Sequence, residues 1–190
     1  MNYLAHSYLS FTDGQLVGNM IADFIKNNER ENFPLEIQKG IKLHRAIDSF
    51  TDTHPAISQA KKVFSPLVRL YAGAFVDVAF DYFVAHSISD GALFEHSQKV
   101  YKTLWQYEEW LPENFKIMLK KMEEDNWLYN YREDWGIKFS TKNVLNKAKY
   151  LEKDIPVFEA FLSHKKEIGK EFEIFFPDIK SYLDTLDLKI

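Results

Sequence analysis

The stretch GIKLHRAIDSFTDTHP, residues 40–55, decides how the rest of the chain is interpreted. Within it, His44 and Asp48 lie four residues apart in a pattern that predicts a helix from about residue 35 to 51. Four residues are about one helical turn, so the imidazole and the carboxylate share a face. That face is in register with Ile37 and Ile41, which predicts that it points into the protein.

An apolar face that carries a base and an acid needs an explanation, because buried polar groups without partners are costly. A metal ion held between helices is one interpretation. The other is a buried hydrogen bond between His44 and Asp48 that only shapes the core. The stretch by itself leaves both interpretations open.

A second acidic pattern lies in FVDVAFDYFVAH, residues 75–86. Asp77 and Asp81 again have a four-residue spacing, on a helix that is apolar almost all round and is therefore predicted to be central. Two buried carboxylates require a metal ion or another cation nearby. Ion pairs with Arg45 or Arg69 are the structural alternative.

Composition predicts a single all-α domain, residues 1–190, with about seven to eight helices around one core. The chain of 190 residues is 46% hydrophobic and 16% aromatic, which supports a substantial core. Its 7 Gly and 6 Pro give few turn signals, and this favours long helices over many short strands. The sequence contains no P-loop, G-x-S-x-G or H-E-x-x-H motif.

Charge and residue usage exclude several classes of protein. The net charge of −4 gives no general field for binding nucleic acid, and the absence of Cys excludes disulfides and thiolate metal sites. The apolar residues before position 12 follow no Lys or Arg, unlike a signal peptide. Residues 71–85 are too short and too acidic to span a membrane. We therefore expect a soluble, cytoplasmic protein.

The polar residues of the first half come from four helical segments that could converge on one centre. The set is His6, Asp23, His44, Asp48, Asp77, Asp81 and His86. Such an oxygen-rich set suits Mn²⁺ or Fe²⁺ better than a structural zinc. A site of this kind is typical of enzymes that activate water for attack on phosphorus.

Four blocks of the sequence resemble the acyl carrier protein phosphodiesterase family. They are NYLAH (2–6), GNMIADF (18–24), residues 40–55 and residues 75–86. The likeness covers the first half well and the second half mainly in helical character. It implies an all-helical fold distantly related to the His-Asp phosphohydrolase superfamily, although the adjacent His-Asp pair of that superfamily is absent here.

The resemblance also implies a manganese-dependent hydrolase that removes 4′-phosphopantetheine from the serine of holo-acyl carrier protein. Fe²⁺ and Mg²⁺ are the alternative metals. The family motifs carry over to this chain as candidate metal or catalytic positions. On the hypothesis of a phosphodiesterase, Asp81 or His6 acts as the general acid or base and Arg45 contacts the phosphate. The candidate metal ligands are Asp23, His44, Asp48 and Asp77.

The second half, residues 91–190, is predicted to supply supporting helices and a surface for the acidic carrier protein. Candidate substrate-binding residues there are Arg132, Lys142 and Lys149. Two other functions remain open at this point. One is a metal-dependent phosphohydrolase with a small nucleotide or phosphoester substrate, and the other is a non-enzymatic helical protein with structural His–Asp pairs.

Overall fold

A computed structural model describes residues 2–186 as one helical domain. Within these residues no β-strand is present, which confirms the all-α prediction. The helices of nine residues or more are Asp13–Ile21 (α2), Leu35–Thr53 (α3), Pro55–Val68 (α4), Ala72–Ser87 (α5), Asp90–Gln106 (α6), Glu113–Glu124 (α7), Asp134–Lys147 (α9) and Lys165–Thr185 (α11). Shorter helices are Tyr3–Tyr8 (α1), Trp127–Asn130 (α8) and Val157–Ser163 (α10), and 3₁₀ turns are Ala22–Phe24, Asn27–Asn32, Arg69–Tyr71 and Glu108–Trp110.

The tightest helix pair in the domain is α2 with α3, and two glycines make it possible. A Cβ atom at Gly18 would lie 2.0 Å from the carbonyl oxygen of Ile37, and one at Gly40 would lie 2.3 Å from that of Gln15. Any side chain at either position would therefore push the two backbones apart. This contact packs residues 15–19 of α2 against residues 37–40, near the start of α3.

The α5 helix is central, as its apolar sequence predicts. Phe75, Val76, Phe80 and Val84 are fully buried there, and α5 packs against α1, α4, α9 and α11. The segment Pro55–Ser87 is long and apolar enough to cross a membrane by length and composition alone. In the structure the turn Arg69–Tyr71 divides it into α4 and α5, and both helices contribute to the core.

Two helices of the structure continue through a proline. The pair Ser65-Pro66 predicts that a helix over residues 55–64 ends there, and this prediction is wrong because α4 runs through Pro66 to Val68. At Pro177, where the sequence predicts a kink or a break, α11 continues. Both prolines are exposed, so the carbonyl groups that lose an N–H partner can bond to water. Residues 156–186 form two helices, α10 and α11, which are separated at His164. The lysine-rich segment 140–153 predicts a helix over those residues, and the structure has the helix at Asp134–Lys147 instead.

Replacing Gly18 with alanine should destabilise the protein by about 1–3 kcal/mol, because the new methyl group overlaps backbone atoms that have no room to move. The control is Gly91→Ala in the first turn of α6, where an added Cβ meets nothing within 4 Å. This control should be neutral or slightly stabilising. Chemical denaturation of both variants measures the difference, and equal stabilities would contradict the close packing of α2 and α3.

Candidate metal centre

A cavity of about 290 Å³ opens where α1, α2, α3 and α5 meet. Its wall is strongly acidic at one end and carries two histidines. The lining residues are Asn2, Tyr3, His6, Asn19, Met20, Asp23, His44, Asp48, Thr51, Asp52 and Asp77. The structure thus brings together five of the predicted site residues: His6, Asp23, His44, Asp48 and Asp77.

Asn19 orients the imidazole rings of His6 and His44 through hydrogen bonds. Its side-chain NH₂ donates to the carbonyl oxygen of His6 at 2.8 Å and to Ser10 Oγ at 3.1 Å. This fixes the amide so that Oδ1 faces the two imidazole rings. Oδ1 then accepts from Nδ1 of His6 at 2.7 Å and from Nδ1 of His44 at 3.2 Å, and the Asn19 carbonyl lies 2.9 Å from the same His44 nitrogen.

Because both Nδ1 atoms donate to Asn19, both Nε2 atoms are left to face the cavity. The rings are stacked with their centroids 4.3 Å apart. His44 Nε2 lies 3.0 Å from Asp48 Oδ2 and 3.3 Å from Asp23 Oδ1, whereas His6 Nε2 lies 3.4 Å from Asp48 Oδ1. Nitrogen lone pairs and carboxylates therefore converge on one point.

The donor set fits a divalent cation. Ligand atoms of His6, His44 and Asp48 all lie within 4.8 Å of one another. His6 Nε2 is buried and forms no hydrogen bond with any residue the structure describes. A buried nitrogen of this kind, on an imidazole whose other nitrogen is held by an amide, is the arrangement that metal-ligating histidines commonly show.

In the absence of a metal ion, a proton on His44 compensates for the two carboxylates that lie close to its ring. Burial lowers the pKa of His44, but hydrogen bonds to Asp23 and Asp48 outweigh it and raise that pKa to about 9. Burial, together with the nearby His44, lowers the pKa of His6. Burial also opposes ionisation of Asp48, yet the hydrogen bond from His44 and the proximity of both histidines lower its pKa overall. The carboxylates of Asp23 and Asp48 therefore favour the protonated form of His44 in the absence of a metal ion.

Asp81 lies apart from this cavity wall. It is fully buried, and its carboxylate accepts hydrogen bonds from the backbone N–H groups of Asn2, Leu4 and Ala5 at 3.3, 2.9 and 3.2 Å. These groups open α1, where N–H groups have no helical partner. Burial raises the pKa of Asp81 to about 7, although the amide hydrogen bonds oppose the shift. Such contacts favour a cap for α1 over the proton-handling role predicted from sequence.

The other predicted polar residues lie outside the cavity. Arg45 is exposed on α3 and donates to Asn27, and exposed His86 bonds through Nδ1 to the Tyr82 carbonyl at 2.9 Å.

The three candidate substrate-binding residues of the second half have partners of their own. Arg132 pairs with Asp90, and Lys142 donates to the Lys153 carbonyl at 2.7 Å. Lys149 lies over the ring of the adjacent Tyr150. A substrate role for these residues stays a prediction.

Sequence reasoning missed Asn19 as a member of the site. The signal was present, because an asparagine beside a glycine in the middle of an apolar helix predicts close approach to another group. That close approach is confirmed by the contact between Gly18 and α3. What the sequence did not reveal is that the partner of the amide is a pair of histidines.

Comparison with known proteins now identifies the family. The family model described as acyl carrier protein phosphodiesterase matches residues 1–179. The chain belongs to the acyl carrier protein phosphodiesterase family. This confirms the resemblance stated from the four sequence blocks, and with it the prediction of a phosphodiester hydrolase at the level of the family.

The curated relatives that match this chain cover most or nearly all of its length. An acyl carrier protein phosphodiesterase of Photorhabdus laumondii is 28% identical and covers 98% of this chain and 97% of its own. One from Yersinia pestis is 29% identical over 93% of this chain and 94% of its own, and one from Shigella boydii is 32% identical over 77% and 76%. No solved structure matches this chain.

Substituting Asp81 with asparagine should lower the free energy of unfolding by about 1–3 kcal/mol, because an NH₂ group would then face backbone donors that need an acceptor. Thermal and denaturant unfolding measure this loss. A variant that unfolds like the wild type, yet has lost hydrolytic activity, would restore Asp81 to the catalytic set.

Proposed function

We propose that this protein is a metal-dependent phosphodiesterase that hydrolyses the bond between 4′-phosphopantetheine and the serine of holo-acyl carrier protein. The observation that carries the proposal is the convergence of His6 Nε2, His44 Nε2 and the Asp48 carboxylate in one cavity. The substrate is inferred from the names of the relatives. Mn²⁺ is the metal that the family resemblance implies, with Fe²⁺ and Mg²⁺ as alternatives, and imidazole with carboxylate donors is compatible with Mn²⁺ or Fe²⁺.

Four residues would hold the cation: His6, His44, Asp48 and Asp23. This assignment moves His6 from the proton-handling role to the ligand set, since its Nε2 atom is buried beside Asp48 without a hydrogen bond. A bound divalent cation supplies a Lewis acid that promotes ionisation of water and neutralises phosphoryl charge. Asn19 keeps both imidazoles in the tautomer that leaves Nε2 free to coordinate.

The remaining chemistry is assigned to the cavity wall. Water adds to phosphorus, the P–O bond to serine breaks, and the serine oxygen takes up a proton as the water gives one up. Asp77, which the sequence hypothesis placed among the metal ligands, lines the same cavity outside the cluster of His6, His44 and Asp48, and we assign it as the group that accepts the proton from water. The products are apo-acyl carrier protein and 4′-phosphopantetheine.

The direct test weighs the carrier protein intact by mass spectrometry after incubation with enzyme and Mn²⁺. We expect loss of the 4′-phosphopantetheine mass, abolished by EDTA and reduced at least about 100-fold in Asp48→Asn and His44→Gln. The matched control is His86→Gln, which changes an exposed histidine outside the cavity and should retain activity. Turnover that persists in EDTA, or that survives both site substitutions, would contradict the proposal.

Metal affinity should rise with pH. In the metal-free protein His44 holds a proton up to about pH 9, and this proton must leave before Nε2 can coordinate. Between pH 6.5 and 8.5 each unit of pH should strengthen Mn²⁺ binding by up to about tenfold, with roughly one proton released per ion. Calorimetry in buffers of different ionisation enthalpy counts the protons. An affinity independent of pH over this interval would remove His44 from the ligand set.

A further inference from the structure

A second cavity adjoins the candidate metal centre and is formed largely by the second half of the chain. It has a volume of about 540 Å³, within the roughly 300–1,000 Å³ usual for small-molecule sites. Asn2 and Tyr3 line both cavities, and Phe24 in the second directly follows Asp23 in the first. We call this second cavity the α7–α9 groove, after the helices that supply most of its wall.

The two walls of the groove carry the same pattern. On α7 the lining residues are Asn114, Ile117, Met118 and Lys121, and on α9 they are Ser140, Asn143, Val144 and Lys147. Each set has the i, i+3, i+4, i+7 spacing of a single helix face. Each face therefore begins with a small polar side chain and ends with a lysine. The two side chains between them are apolar on α7, and an amide and an apolar group on α9.

The chemistry of the groove is mixed but free of negative charge. Its apolar surface includes Ile117, 70% exposed, and Phe139, 45% exposed, which leaves large side chains uncovered on this face. Asparagine and serine side chains lie among them. None of the residues described as lining the groove is acidic, and its two lysines are exposed. The groove thus suits a ligand with amides and short aliphatic groups that is attached to an anion.

We propose that the α7–α9 groove holds the pantetheine arm of the substrate, extended away from the phosphodiester at the candidate metal centre. The arm has two amides, a hydroxyl group, a dimethyl carbon and a terminal thiol, which match a groove of amide, hydroxyl and apolar side chains. Because Asn2 and Tyr3 line both cavities, one end of the groove lies next to the candidate metal centre, where the phosphodiester would bind. The inference rests on the proposed function for the identity of the phosphodiester.

Hydrogen bonds at the junction hold the two cavities in a fixed relation. Asn2 donates through Nδ2 to Tyr131 Oη at 3.0 Å, and Tyr3 Oη donates to the sulfur of Met118 at 3.3 Å. Tyr131 and Met118 both line the groove. The start of α1 is therefore attached to the wall of the groove while His6, on the same helix, faces the metal centre.

The experiment fills the groove and leaves the metal centre unchanged. Asn143→Phe places an aromatic ring on the α9 wall, and the matched control is Asn146→Phe, an exposed asparagine on the same helix outside the groove. Ile117→Glu alters the α7 wall at an exposed position, with Ile174→Glu on α11 as its control. Thermal unfolding confirms that each variant is folded.

Three probes separate the arm from the phosphate and from the carrier. Free pantetheine carries only the arm, apo-acyl carrier protein carries only the protein, and bis(p-nitrophenyl) phosphate is a phosphodiester with neither. We expect both groove variants to weaken pantetheine binding in calorimetry and to raise the KM for holo-acyl carrier protein, each by about tenfold or more. Hydrolysis of bis(p-nitrophenyl) phosphate and affinity for the apo carrier should stay within about twofold of wild type.

Two results would overturn the inference. One is an unchanged pantetheine affinity and KM in both folded groove variants. The other is a loss of affinity for the apo carrier with pantetheine binding intact, which would assign the groove to the carrier surface. If the wild type fails to cleave holo-acyl carrier protein, the proposed function fails, while calorimetry with pantetheine still decides the groove.

Discussion

The close contact between α2 and α3 is the constraint on which the rest of the site depends. Gly18 and Gly40 let the two backbones approach until an added Cβ would overlap a carbonyl group. Asn19 follows Gly18 directly, and His44 lies one turn beyond Gly40. The same contact that packs the helices therefore brings a buried amide within 3.2 Å of a buried imidazole. The packing of α2 against α3 therefore sets the relative positions of Asn19 and His44 in the candidate metal centre.

Orientation by Asn19 gives the centre its electrostatic character. An asparagine that must donate through its NH₂ group can offer only acceptors to the two histidines, so each ring keeps its proton on Nδ1. Their Nε2 lone pairs then face the carboxylates of Asp23 and Asp48, an arrangement that is unfavourable unless a positive charge lies between them. In the protein alone that charge is the His44 proton, and a divalent cation meets the same requirement in the proposed enzyme.

Local spacing predicted the part of the site that lies within one helix, but not the parts that depend on tertiary contacts. The four-residue interval placed Asp48 beside His44, where the structure also has it. The same interval between Asp77 and Asp81 gave no means of distinguishing a carboxylate that lines a cavity from one that caps another helix. That difference depends on where the start of α1 packs against α5. Likewise, exposure to water lets α4 continue through Pro66, where the sequence predicts that the helix ends.

The α1 helix connects these observations, because Tyr3 lines both cavities, His6 lines the candidate metal centre, and the N–H groups of Leu4 and Ala5 donate to the buried Asp81 carboxylate. Asp81 fixes the first turn through three backbone amides, and Asn2 and Tyr3 join that turn to the α7–α9 groove. His6 lies about one turn further along α1 and donates from Nδ1 to Asn19 Oδ1. A shift of α1 would therefore move a candidate metal ligand and the junction of the groove together. On this view Asp81 contributes to catalysis without touching substrate, by holding the helix that carries His6 in place.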